Sequence, residues 1–199
     1  MINKDFTNKY ETIKNMDDKA FYDNFAHIMH LALVKDELFY TDLIDLMYEI
    51  KDRDEKTWEY IANKTDLIYS LIFDKKGFEF GFSLGSVFFE CYSDKFSEGE
   101  CLALGCVAEG YISYIKNWLT KDEFYEIRDM FVPFCLPISV ELMDVDKGVE
   151  CFKADNELNE KNLYTLPLIK KIGKTVIDST VSPEDIRAAL TEINFDEAW

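Results

Sequence analysis

The chain is short of positive charge. Across 199 residues, 22 Lys and Arg stand against 39 Asp and Glu, a formal net charge of −17. Such an excess repels phosphate backbones and anionic lipid surfaces, which argues against nucleic-acid and membrane-surface partners. Long hydrophobic runs are missing too. None reaches the roughly 20 residues of a transmembrane helix, and Met1-Ile2-Asn3-Lys4-Asp5 lacks the apolar stretch of a secretory leader. A cytoplasmic protein is therefore expected. The five cysteines (Cys91, Cys101, Cys106, Cys135, Cys151) are odd in number and form no Cys-x-x-Cys pair. That spacing supports neither a zinc knuckle nor a thioredoxin-like motif, and reduced thiols are expected. Glycine and proline are sparse at 8 and 4, with no low-complexity tract or internal repeat.

With 48% hydrophobic residues the chain can bury one sizeable core, so residues 1–199 read as a single domain. Five of the 8 glycines lie between Gly81 and Gly110, inside two apolar segments of helical length. Glycine costs about 1 kcal/mol against alanine in a helix. Close backbone approach is the usual compensation, and it predicts two packed helices at the centre of the domain. Phe78, Phe80, Phe82, Phe88 and Phe89 read as core.

Elsewhere the periodicity is mostly helical. Asp5 to Asn15 reads as a short helix, and Asp17-Asp18 as the start of another carrying Phe21, Phe25, Ile28, Met29 and Ala32 on one face. His27 and His30, the only histidines, sit three apart on its flank, where partial solvation is the ordinary expectation. Leu38 to Ile50 repeats the pattern, and Lys51 to Asp54 makes a charged connection. A longer helix marked by Trp58, Ile61, Leu67, Ile68, Leu71 and Ile72 ends near Asp74. Beyond the glycine-rich pair, helices are expected over Glu123 to Phe131 and Asp144 to Phe152, with a Pro133 to Pro137 loop between them. Leu163 to Val181 contains a small hairpin around Ile172-Gly173-Lys174. Ser182 and Pro183 open a last helix. The fold class is mainly α, a multi-helix domain with one small β-hairpin near the C-terminus. Ser97-x-x-Glu100 reads as a capping box, and Glu98 suits the dipole of the helix it begins.

From Phe21 to Ile193 the order of segments resembles the C-terminal domain of dehydroquinate synthase and related sugar-phosphate cyclases. Three stretches carry the resemblance: Ala26-His27-Ile28-Met29-His30, Glu79-Phe80-Gly81-Phe82-Ser83-Leu84-Gly85-Ser86, and Glu98-Gly99-Glu100-Cys101-Leu102-Ala103-Leu104-Gly105-Cys106. They stand where the family has Ala-Glu-x-x-Lys, Asn-Phe-Gly-His-Thr-x-Gly-His and His-Gly-Glu-Ala-Val-Ala-x-Gly-Met. The resemblance implies three metal-ligand positions, at His27, Phe82 and Glu98. Glutamate and histidine are exchanged at two of them, and the third is a phenyl ring. A catalytic zinc takes three protein ligands and an open position, so His27 and Glu98 are a vestigial pair that holds metal weakly. The resemblance also makes His30, Lys75, Glu79, Ser86 and Asp155 candidates for the cleft. Several of these replace family cations or amides, and Glu79 and Glu157 would repel the phosphorylated sugar acid that the family uses.

No glycine-rich strand-to-helix turn precedes Phe21, so the family's N-terminal NAD-binding domain is expected to be absent. No cofactor is expected, neither NAD nor tightly held zinc. The implied function is a non-catalytic, pseudoenzyme relative that works by self-association, as a homodimer, or through a partner protein. The alternative is a subunit completed in trans by an NAD-binding chain. If active, it would be a carbon–oxygen lyase of the dehydroquinate synthase type.

Overall fold

A computed structural model describes residues 10–71, 76–92 and 94–195. The helices are α1 (Tyr10–Lys14), α2 (Asp18–Lys35), α3 (Glu37–Asp45), α4 (Met47–Lys51) and α5 (Glu55–Ser70), followed by α6 (Phe82–Tyr92), α7 (Glu98–Ile115), α8 (Lys121–Asp129), α9 (Val145–Asp155) and α10 (Pro183–Glu192). Strands β2 (Tyr164–Lys171) and β3 (Lys174–Val181) form an antiparallel hairpin, and β1 (Val140–Glu141) pairs in parallel with β4 (Asn194–Phe195). The expected mainly helical class with a C-terminal hairpin is what the chain adopts. The short parallel pair was not foreseen, because two residues per strand are too few to show a period.

The two glycine-bearing helices do meet. A Cβ at Gly105 would stand 1.9 Å from the Gly81 carbonyl oxygen and 2.8 Å from the Gly85 Cα. Real Cβ contacts do not come that close, so α7 crosses the start of α6 at backbone distance. The segment before α6 is not part of it. Lys76–Glu79 is a 3-10 turn, and Gly81 takes φ +83° before α6 begins at Phe82.

Asp17 caps α2 by accepting from the Ala20 amide at 3.0 Å, as its sequence position suggested. Every residue of α2 from Phe25 to Val34 is buried. The partly solvated flank expected for His27 and His30 is therefore wrong: the two histidines are 8% and 1% exposed. A helix enclosed on all sides has no solvent flank to offer. Leu38 to Ile50 also differs, breaking at Leu46 into α3 and α4. On α5, Trp58, Ile61 and Ile68 are buried, but Leu67, and Leu71 just after the helix, face outward. Phe6, and Ile72 to Lys75, lie outside the described residues.

Ser97–Glu100 is a capping box at the start of α7, and Thr120–Glu123 and Ser182–Asp185 form two more. The hairpin docks on the core helices: the Gly173 amide donates to the Leu33 carbonyl at 2.8 Å, and the Ile169 amide to Ser113 Oγ at 3.2 Å. Lys116 at the end of α7 donates to the Thr180 carbonyl at 2.9 Å, with Asp178 and Asp185 each 3.8 Å away. One redox expectation fails. Cys91 on α6 and Cys151 on α9 are joined as a disulfide across 60 residues of sequence. Their pairing follows from how α6 packs on α9, which spacing along the chain cannot show. Cys101 and Cys106 are buried free thiols, and Cys135 is exposed.

Candidate functional site

Three helices present one cleft. Along α6, Phe82, Gly85, Ser86 and Phe89 recur at helical spacing, so they share a face. The first turn of α7 adds Glu98, Cys101 and Leu102, and α2 adds His27. With Gly81 these residues enclose about 300 Å³. The three positions singled out by the family resemblance, His27, Phe82 and Glu98, thus come together in the fold. Ser86 lines the same cleft.

The other sequence candidates are placed differently. His30 is buried behind the cleft, where its Nε2–H donates to the Phe80 carbonyl at 2.8 Å. Its ring packs edge-on against Phe78 and Phe82, with centroids 5.0 and 5.2 Å away. Burial pushes the His30 pKa down to about 3, so the ring is neutral. Glu79 is exposed on the 3-10 turn and is not among the lining residues. Asp155 ends α9, outside the lining, and shares a hydrogen bond with Glu90 that raises the Glu90 pKa. Lys75 lies outside the described residues.

Desolvation also dominates at His27. Burial lowers its pKa, and the opposing pull of Glu98 and Asp23 does not overcome it. Cys101 is held as a thiol, its pKa raised to about 11 by burial and then by Glu100, Asp23 and Glu98. Asp23 Oδ1 accepts from the Gly99 amide at 2.6 Å and so fixes the start of α7 against α2.

Two features of the site escaped sequence reasoning. Phe89, expected in the core, is 54% exposed and lines the cleft. The i, i+4, i+7 spacing of Phe82, Ser86 and Phe89 was the signal available for it. Glu109 is the second: fully buried in mid-α7, it accepts from the Gly81 amide at 2.6 Å and the Leu84 amide at 2.9 Å. It caps α6 from below the cleft. Burial lifts its pKa to about 8 in spite of those donors.

This helical architecture, with its small C-terminal hairpin, is that of the C-terminal helical domain of sugar-phosphate cyclases. A 2-epi-5-epi-valiolone synthase from Streptomyces hygroscopicus, solved with NAD+ and Zn2+ bound, superposes with a TM-score of 0.78 at 18% identity, over 93% of this chain and 54% of that one. A 2-deoxy-scyllo-inosose synthase, complexed with carbaglucose-6-phosphate, NAD+ and Co2+, gives a TM-score of 0.63 at 16% identity, over 86% of this chain and 51% of the other.

In sequence the chain is similar to 3-dehydroquinate synthases. That of Acetivibrio thermocellus is 24% identical over 184 residues (88% of this chain, 51% of the relative). That of Clostridium botulinum is 25% identical over 185 residues (85% and 50%). The chain spans about half the length of these curated relatives. No family model matches it.

Among the described residues, no group of three or more His, Cys, Asp or Glu side chains is placed to hold a metal ion. The cleft joins His27 and Glu98 with a phenyl ring, and it does not fit a three-ligand catalytic metal. Among the described residues, no helix is long and apolar enough to cross a membrane.

Proposed function

We propose that this domain is a non-catalytic, dehydroquinate synthase-like domain that acts by association with itself or with a partner protein. One observation carries the reading: His27, Phe82 and Glu98 share one cleft, and the third position offers a ring in place of a donor. The nearest other imidazole, His30, is neutral and spends Nε2 on the Phe80 carbonyl. Leu38, Tyr48 and Leu142 are exposed apolar side chains, at 74%, 72% and 70%.

A second reading, a cyclase subunit completed in trans by an NAD-binding chain, draws its support from the half-length match to the curated relatives. One assay separates the two. The purified chain, supplied with NAD, zinc and the phosphorylated sugar-acid substrate of 3-dehydroquinate synthase, is expected to release no phosphate above background. Release that disappears in His27→Ala or Glu98→Ala would overturn the non-catalytic reading. Turnover that begins only when a separate NAD-binding polypeptide is added would establish the second.

A further inference from the structure

The cleft has a polarity of its own. Its walls are chiefly apolar (Phe82, Phe89, Leu102 and the two glycines), and its ionisable groups are Glu98, His27 and Cys101. Among the described residues, no lysine or arginine lines it. We infer that this cleft binds a small organic cation, a primary or methylated ammonium carried on an apolar body of about a dozen heavy atoms.

Three observations carry the inference. Glu98 is exposed at the rim, with its carboxylate available as a counter-ion. Phe82 and the half-exposed Phe89 stand on one face of α6, and their rings attract a cation through their electron-rich faces. The third is the field within the cleft. Cys101 lines the wall, and among the described residues the charges acting on its thiol are three carboxylates, Glu100, Asp23 and Glu98. A phosphate or carboxylate ligand would meet that field unpaired. A volume of about 300 Å³ suits a small molecule better than a long extended segment of a partner.

The test is a two-dimensional amide NMR titration of the full chain. The probes are phenethylammonium, its neutral counterpart 2-phenylethanol, the anion 3-phenylpropionate, and inorganic phosphate. Phenethylammonium should shift amides of α6 between Phe82 and Phe89 and of the first turn of α7, and should bind at least about fivefold tighter than the alcohol. The two anions should leave those amides unmoved. Glu98→Gln should abolish the preference for ammonium over alcohol, whereas Phe89→Ala should weaken both, by about threefold or more. Both substituted residues are exposed, and an unchanged thermal melt verifies folding of each variant. Three results would overturn the assignment: no shifts at the cleft with the ammonium, tighter binding of either anion, or a cation preference that survives Glu98→Gln. Binding of a lysine-rich peptide without binding of the free ammonium would overturn it equally, by assigning the cleft to a protein segment.

Discussion

Two of the three glutamates on helix α7 are in opposite situations. Glu109, in its middle, is fully buried and spends both carboxylate oxygens on the Gly81 and Leu84 amides at the entry to α6. Glu98, at its first residue, is exposed beside an apolar cleft. One carboxyl holds the architecture together, while the other remains free to meet a ligand. The same helix therefore divides into a structural half and an available half, and the boundary between them is burial. Composition alone would count both residues toward a solvated acidic surface.

The largest effect that would break this contrast lies at the helix crossing. Gly105→Ala places a methyl 1.9 Å from the Gly81 carbonyl oxygen, an atom of the backbone that cannot rotate away. The two central helices must separate, and we expect a loss of more than about 3 kcal/mol in urea unfolding. Next is Glu109→Ala, which leaves the Gly81 and Leu84 amides buried without an acceptor. The expected loss is about 3 kcal/mol by the same measurement. Glu98→Gln is the smallest. Removing an exposed charge from the first turn of a helix should cost about 0.5 kcal/mol or less. A cost at Glu98 matching that at Glu109 would erase the distinction between the two halves of α7.

The buried half also has a pH signature. The Glu109 pKa is raised from 4.5 to about 8, so the folded protein holds this proton more tightly than the unfolded chain does. The stability that it contributes is therefore fully present below about pH 4.5 and is lost as pH rises through 8. Its slope approaches about 1.4 kcal/mol per pH unit between those limits. Glu109→Gln cannot titrate. Subtracting its pH–stability curve from that of the parent should isolate this slope. A flat difference curve would show that the carboxyl ionises without penalty.

Legibility differed between backbone and cleft for physical reasons. The caps at Asp17, Ser97 and Ser182 were readable because a cap is a local event, settled by a side chain and an amide three residues apart. Clustered glycines announced the α6–α7 crossing, since only close approach offsets their cost. The three resemblance positions gathered in one cleft as the motif order implied. Phe89 left only a helical spacing with Phe82 and Ser86 as its signal, and Glu109 and the pairing of Cys91 with Cys151 left none. Each depends on which helix lies opposite, and a phenylalanine or glutamate looks the same in a string whether it faces solvent, cleft or core. His27 and His30 misled for the same reason, since α2 is enclosed by its neighbours and not by its own sequence pattern.

By itself the sequence determined the helical class, the capped starts of α2, α7 and α10 and the C-terminal hairpin, because propensity, periodicity and capping act within a few residues. Tertiary structure alone decided which carboxyl became a buried cap, which ring became a wall of the cleft and which thiols met. Those outcomes follow from desolvation and contact between segments distant in the chain, and both come into being only when the helices pack.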